Sequence, residues 1–163
     1  MEVAFHLNVP AAWPERSSYL CRLLAKAHAS RARVWVVIAE GEAEPLDVAL
    51  WALPENDFVP HVRSGEPALL LLRHSPIVIA TPGDAVAGER SVLVNAQSQW
   101  PAVLDATAAF KRVIEVVSDD ENDKAAARQR WRRYQAMGLT PVVYDRAARP
   151  PRAATGENRH VER

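Results

Sequence analysis

Short apolar runs rich in β-branched residues alternate along the chain with longer segments whose apolar positions recur at helical spacing. This alternation is typical of an α/β protein in which strands and helices follow one another. Arg33–Ala39 is apolar in nearly continuous order, as expected of a parallel strand that is covered on both faces. The pattern predicts strands at Val3–Leu7, Arg33–Ala39, Ile77–Ala80, Ser91–Val94, Val113–Val117 and Pro141–Tyr144.

Helices are predicted between these strands from apolar spacing and from the positions of proline and glycine. Pro14 and Pro45 stand where the first turn of a helix tolerates proline, and Gly138 stands where a helix commonly ends. Between the second helix and the strand at Ile77, prolines predict a loop. The first predicted helix begins at Pro14 and has an apolar face of Leu20, Leu23, Leu24 and Ala27. The other three span Pro45 to about Leu53, Pro101–Lys111 and Asp120–Met137.

Length and composition are those of one globular domain. The chain has 163 residues, 48% of them hydrophobic and 25% charged, which is enough to bury a core without disulfides or metals. From Ala147 onward the sequence has arginines, Pro150 and Pro151, and no apolar periodicity. We therefore expect a single domain over residues 1–146 and a disordered basic tail over 147–163.

The charge balance and the termini exclude several classes of partner. Lysine plus arginine total 20 and aspartate plus glutamate total 20, so the net charge is zero and binding of nucleic acid by bulk charge is not expected. The first ten residues lack an export signal, and no apolar run reaches the roughly 18 to 20 residues of a membrane span. One cysteine forms no internal disulfide. These features predict a cytoplasmic protein that does not bind membranes.

Signatures of catalysis and of cofactor binding are missing from the sequence. Its six glycines are scattered singly, so no phosphate-binding loop is predicted. The acidic residues from Asp119 to Asp123 lack the glycine and the final carboxylate of a calcium loop, and they suit the start of a helix instead. Cys21 is interpreted as a small packed residue. The five histidines show no ligand spacing, so we expect no metal, no cofactor and no catalytic residue.

Trp51 is the first of two features that point to a function. A helix from Pro45 directs Leu46, Ala49, Leu50 and Leu53 at the sheet, which leaves Trp51 on the opposite side. With Phe58, Val59 and Pro60 it could form an exposed aromatic patch of the kind found at protein interfaces. The loop could equally fold back and bury these rings against one another.

The second feature is a row of cations on the last helix. Lys124, Arg128 and Arg132 recur every four residues, and Trp131 and Gln135 fall within the same arc. Cations on one face repel each other by about 0.2–0.5 kcal/mol per pair, so such a row does not stabilise the helix. An apolar ring flanked by positive charges suits a ligand with one apolar and one anionic group, such as an acidic peptide or a stacked base next to its phosphate.

Four segments of the chain carry a family resemblance: LDVALWALP at 46–54, FVPH at 58–61, Phe110–Val117 and Lys124–Gly138. In these segments the sequence resembles the family of chi subunits of the bacterial DNA polymerase III clamp-loader complex. The resemblance covers most of residues 1–145 and leaves the tail outside. It implies a three-layer α/β/α sandwich of Rossmann-like topology, with a mostly parallel sheet and no nucleotide site, and a protein with no catalytic activity of its own.

The resemblance also implies two partner-binding surfaces. The family bridges the clamp loader, through the psi subunit, to DNA coated with single-stranded-DNA-binding protein, so contact with nucleic acid is expected to be indirect. Psi would bind at Trp51, Pro54, Phe58, Val59 and Pro60. The acidic, phenylalanine-ended tail of the coating protein would bind at Val117, Lys124, Arg128, Trp131, Arg132 and Gln135. Trp131 stands where the family usually has tyrosine, and Gln135 where it can have arginine.

Two other functions remain open from the sequence. The basic helix from Lys124 to Arg133 could bind single-stranded nucleic acid directly, in which case affinity would depend on salt and on oligonucleotide length. The chain could also be an enzyme of nucleotide metabolism on a Rossmann-like fold, in which case a nucleotide would raise its melting temperature.

Overall fold

A computed structural model describes residues 1–107 and 109–147 of the chain. Within these residues the chain forms seven strands and five α-helices. Of the predicted tail over 147–163, all but Ala147 lies outside the described residues. The strands are β1 (Glu2–Val9), β2 (Val34–Ile38), β3 (His61–Arg63), β4 (Ile77–Ala80), β5 (Val92–Ala96), β6 (Arg112–Ser118) and β7 (Val142–Asp145). The helices are α1 (Glu15–Ala29), α2 (Glu40–Trp51), α3 (Leu69–His74), α4 (Val103–Ala106) and α5 (Glu121–Ala136).

The seven strands form one sheet in the order β3-β4-β2-β5-β6-β1-β7, and each neighbouring pair is parallel. The central strands are covered on both faces, as the apolar run around β2 predicts. Side chains alternate across β2, so Val36 packs with α1 and α2 on one face while Trp35 packs with α5 on the other. Helices α3 and α4 cover the second face together with α5. The predicted three-layer α/β/α sandwich is confirmed, and its sheet is parallel throughout the described residues.

Two predicted helices have different bounds in the structure. Helix α2 begins at Glu40, five residues before Pro45, because Ala43 as well as Leu46 packs onto the sheet. Pro45 lies on its exposed side. The helix predicted over Pro101–Lys111 is wrong in extent, since α4 has a single turn. Thr107, directly after α4, has an extended backbone, and Phe110 is buried against the second face of the sheet before β6 begins.

The loop predicted between α2 and β4 contains regular structure. It holds a short 3₁₀ turn at Glu55–Asp57, the edge strand β3 and the six-residue helix α3. Strand β3 has three residues and pairs only with β4 in the described part of the chain, so it lacks the long alternating run that predicts a strand. Among the described residues no helix is both long enough and apolar enough to cross a bilayer.

Candidate functional site

A cavity of about 300 Å³ lies between α5 and the edge of the sheet formed by β1 and β7. We call it the α5 cavity. Its floor is apolar, and Trp131 forms one wall. Two cations, Lys124 and Arg128, stand at its rim on the same helix. The cavity is lined by Phe5, Leu7, Asn8, Val117, Lys124, Ala127, Arg128, Trp131 and Val143.

Helix α5 is fixed at its beginning by a side-chain cap. The Asp120 carboxylate accepts hydrogen bonds from the backbone N–H groups of Asn122 at 2.9 Å and Asp123 at 3.1 Å. The Asp123 carboxylate in turn accepts from the Ser118 N–H at 2.7 Å, at the end of β6. The acidic residues at this point therefore begin the helix, as the sequence predicts. They place Lys124 one turn into the helix, at the rim of the cavity.

The middle of α5 is held to the sheet by Glu115 of β6, whose side chain is fully buried. Its carboxylate accepts hydrogen bonds from Arg130 Nε at 2.9 Å, Tyr134 Oη at 2.7 Å and Asn95 Nδ2 at 2.8 Å. Burial raises the pKa of Glu115, and the Arg130 charge and these three hydrogen bonds oppose that rise. Since Arg130 and Tyr134 flank Trp131 in the sequence, this network fixes the rotation of α5 that turns Trp131 toward the cavity.

Four of the six residues predicted for the tail site line the α5 cavity together. They are Val117, Lys124, Arg128 and Trp131. Arg132 and Gln135 are exposed on α5 and do not line the cavity. Lys124 also pairs with Glu121 at 3.6 Å, an acid three residues earlier on the same helix.

The other cavity residues come from β1 and β7 and were not predicted. Phe5, Leu7 and Asn8 lie on the first strand, and Val143 lies on the last one. These two strands are neighbours because β7 pairs in parallel with β1. The apolar pattern predicts both strands but does not show that they pair. Only that pairing brings Val143 to the cavity, so the sequence held no local signal for these residues.

The aromatic patch around Trp51 exists, and its rings are both packed and exposed. Trp51 contacts Phe58 and His61, with ring centroids 5.2 Å apart in each case. Yet Trp51 remains 62% exposed and Phe58 38% exposed. The two alternatives left open by the sequence are therefore both correct in part, since the rings support one another without becoming part of the core.

Val59 does not belong to this exposed patch. Its side chain is 2% exposed and packs in the core on the face covered by α1 and α2, so its place in the predicted psi surface is a correction. Pro54 is exposed and Pro60 partly buried. His61, which was not predicted for this surface, is buried beneath the rings. Its Nδ1 lies 2.7 Å from the Val59 carbonyl oxygen and its Nε2 lies 3.1 Å from Asp47 Oδ1. The exposed rings with His61 are called the aromatic surface below.

A larger cavity of about 520 Å³ lies at the carboxyl edge of the sheet, where open α/β folds commonly bind ligands. Its one arginine, Arg16, is buried and is paired in part, since its Nη1 has no hydrogen-bond partner within the described residues. It donates to the Ala96 carbonyl oxygen at 2.8 Å and lies 3.4 Å from Glu42. Glu40, Glu42 and Asp123 give the lining an excess of negative charge, which disfavours a phosphate group. The geometry therefore does not favour the nucleotide enzyme.

Fold and site together define a parallel α/β protein that has an apolar cavity with cations at its rim beside α5 and exposed aromatic rings at Trp51 and Phe58. The fold is similar to that of a chain in the solved structure of S. cerevisiae Dbp5 bound to RNA and ADP BeF3, with a TM-score of 0.55. The identity is 11%, and the match covers 88% of this chain but 41% of that one, so the likeness concerns the fold alone.

Residues 1–142 match the model of the family described as DNA polymerase III chi subunit, HolC. Proteins named DNA polymerase III subunit chi are similar in Escherichia coli (31% identity, 74% of this chain and 78% of the relative) and in Haemophilus influenzae (32% identity, 72% and 78%). A third, in Pseudomonas aeruginosa, is 29% identical over 80% of this chain and 87% of its own length. The chain belongs to the DNA polymerase III chi subunit family. It is therefore an accessory subunit in DNA replication, and catalysis lies in other subunits of the polymerase.

Proposed function

We propose that the protein bridges the clamp loader of a bacterial replicative polymerase to DNA coated with single-stranded-DNA-binding protein. It would bind the psi subunit through the aromatic surface and the tail of the coating protein through the α5 cavity. The two surfaces lie toward opposite edges of the sheet, β3 and β7, so both partners can be bound at once. This role would place the protein in the cytoplasm.

The composition of the α5 cavity is the observation that carries the proposal. A phenylalanine with a free α-carboxylate, preceded by aspartates, presents one ring and several negative charges. The cavity offers an apolar wall at Trp131 and two cations at its rim, Lys124 and Arg128. Its volume of about 300 Å³ suits a single side chain rather than a folded partner. Exposed charge contacts are weak and screened by salt, so we expect micromolar or weaker affinity that falls with ionic strength.

Fluorescence anisotropy with a labelled acidic peptide ending in phenylalanine tests the tail site. Arg128→Ala should reduce affinity about tenfold, because Arg128 lines the cavity. Arg132→Ala is the matched control, since it removes the same charge one turn further along α5 and outside the cavity, and it should cost at most a few-fold. A peptide lacking its final phenylalanine should hardly bind. Equal binding of the shortened peptide would favour direct binding of single-stranded nucleic acid, to be checked with oligonucleotides of several lengths.

Titration calorimetry with purified psi tests the aromatic surface. Phe58→Ala should weaken binding about tenfold or more, because a large aromatic side chain buried in a partner is commonly a hot spot. Val142→Ala is the control, since Val142 is a similarly exposed apolar residue on the opposite edge of the sheet. If Phe58→Ala melts the isolated protein at a lower temperature and leaves psi affinity intact, the assignment of this surface is wrong.

A further inference from the structure

Helix α3 exposes three consecutive leucines. Leu69, Leu70 and Leu71 are 53%, 71% and 55% exposed, while Leu72 packs against the sheet. A helix normally turns only part of its circumference to solvent and keeps its large apolar side chains on the buried side. Three exposed leucines in succession therefore form an apolar patch, and such patches commonly mark sites of protein interaction. We call it the leucine patch.

The leucine patch stands on a helix that is firmly held. Six residues are too few to form a stable helix by themselves. The carbonyl groups at the end of α3 are bound by arginines: the buried Arg90 donates to the carbonyl oxygens of Leu72, at 2.6 Å, and of Ser75, while Arg33 donates to that of Arg73. Gly88 lies against this end, where an added Cβ would be 2.6 Å from the Arg73 carbonyl oxygen. The leucines are thus presented in a fixed arrangement, which reduces the entropy lost on binding.

The leucine patch and the aromatic surface lie beside the same sheet edge. A cavity of about 610 Å³ extends from Trp51 and His61 along β3 to Pro67. Pro67 is two residues before α3, and the Glu66 carboxylate accepts from the Ala68 N–H at 3.1 Å, which ties the end of this cavity to the start of the helix. Helix α2 carries Trp51 on one face of the sheet and α3 lies on the other, so a partner that crosses the β3 edge meets both.

The charges around the leucine patch indicate what covers it. Arg73 of α3 is exposed and forms no ion pair within the described residues, whereas Arg63 of β3 lies in the cavity beside the carboxylates of Asp47, Glu66 and Asp84. The positive charge available to a partner therefore lies at α3. A second copy that packed its α3 against this α3 would bring two Arg73 side chains to one contact, which is unfavourable. Three leucines also cover only part of the roughly 800 Å² that each partner buries in a stable interface, so the patch suits one end of a larger contact.

We propose that the leucine patch extends the psi-binding surface, so that an apolar segment of psi crosses the β3 edge from the aromatic surface to α3 and places an acidic side chain beside Arg73. The inference rests on the proposed binding of psi at Trp51 and Phe58. The inference adds a second contact, in which α3 binds psi on the other face of the sheet and Leu70 lies at the centre of the leucine patch.

Calorimetry with purified psi from the same organism tests the inference. Leu70→Ser should weaken psi binding about fivefold to tenfold. Leu70 is 71% exposed, so its replacement leaves the fold intact, which unchanged circular dichroism and an unchanged melting temperature would verify. Val142→Ser is the matched control, an apolar residue 50% exposed at the opposite sheet edge, and it should leave affinity unchanged. Arg73→Glu, which reverses a charge beside the patch, should also weaken binding several-fold.

The results separate failure of this inference from failure of the proposed function. If Phe58→Ala weakens psi binding and Leu70→Ser does not, psi binds without α3 and the inference is overturned while the proposed function stands. If neither variant weakens binding, the psi surface itself is wrong. Sedimentation of the chain alone provides the third outcome. Should wild type dimerise and Leu70→Ser remain monomeric, the patch binds a second copy and psi is not its partner.

Discussion

The indole of Trp131 packs against the ring of Phe5, with ring centroids 5.0 Å apart and ring planes inclined at 57°. Phe5 lies on β1 and is 1% exposed, so the wall of the α5 cavity rests on the core of the protein. Trp131 itself is partly exposed. One side of the indole therefore contributes to folding while the other faces the cavity. A ring held in this way needs little rearrangement when a ligand binds.

Replacement of Trp131 tests this double role. Trp131→Ala should lower the free energy of unfolding by about 1–3 kcal/mol, because a contact with the core is lost, and should weaken binding of the phenylalanine-ended peptide about tenfold or more. Trp131→Tyr keeps an aromatic ring and should retain binding to within a few-fold. Urea denaturation and anisotropy provide the two measurements. If Trp131→Ala binds the peptide as well as wild type, the ring serves packing alone.

The buried pair of Glu115 and Arg130 should be important for stability. Glu115→Ala leaves the Arg130 charge buried without its partner and is expected to cost about 3–5 kcal/mol of unfolding free energy. The control is Glu115→Leu combined with Arg130→Met, which removes both charges. It should recover part of the loss, because Tyr134 Oη and Asn95 Nδ2 still lose the acceptor they share. Chemical denaturation measures both variants. A single variant as stable as wild type would show that Glu115 does not hold α5 to the sheet.

His61 should act on psi binding through the two rings above it. Its ring lies 5.2 Å from Trp51 and 6.0 Å from Phe58, measured between centroids, while its own side chain is fully buried. We expect His61→Ala to weaken psi binding several-fold. In a double-mutant cycle with Phe58→Ala the losses should be less than additive, because His61 positions the ring that the second substitution removes. Additive losses in calorimetry would mean that His61 does not position Phe58.

His6 gives the stability a dependence on pH near neutrality. Burial, followed by the Arg112 and Lys26 charges, lowers the pKa of His6 below its ordinary value of 6.5 in the folded protein. The unfolded chain therefore binds the proton first, and stability is lost as the pH falls from 6.5 toward the lower folded pKa. The ring faces Tyr19 and Tyr144, with Nδ1 2.5 Å from Tyr19 Oη.

His6→Gln removes this titration while keeping a polar side chain. The difference in unfolding free energy between wild type and His6→Gln should favour wild type most above pH 6.5 and shrink below it. Urea denaturation from pH 7.5 to 5 measures this difference, and other titrating groups cancel because they are common to both proteins. A difference that stays constant with pH would show that His6 binds protons equally in the folded and unfolded chains.

The elements with strong patterns agree closely between sequence and structure. Strand β4 has the predicted bounds, and α5 begins and ends within one residue of the prediction. Both have clear local causes, a fully buried apolar run in β4 and a capping aspartate followed by sixteen helical residues in α5. Helix α4 is much shorter than the helix predicted over Pro101–Lys111, because burial of Phe110 outweighs the helical preference of the residues before it. Strand β3 and helix α3 were missed because they are short.

The residues of the α5 cavity also fall into a part that the sequence predicts and a part that it does not. The spacing of Lys124, Arg128 and Trp131 on one helix is a local property, so the sequence alone places them in one arc. The opposite wall of the cavity could not be predicted, because Phe5 and Val143 are separated by most of the chain and meet only through strand pairing. Val59 was wrongly predicted to be exposed, because its neighbour Phe58 is exposed and only the packing of the core shows that Val59 is buried.

The α/β class, the cation row and the outward position of Trp51 follow from local sequence, since each depends on residues that are near one another in the chain, and the order of the segments along the chain indicates the family. The tertiary structure decided which faces became surfaces. It excluded Val59 from the aromatic surface, closed the α5 cavity with β1 and β7, and left three leucines of α3 in solvent. Exposure depends on what the rest of the chain covers, and local spacing carries no information about that.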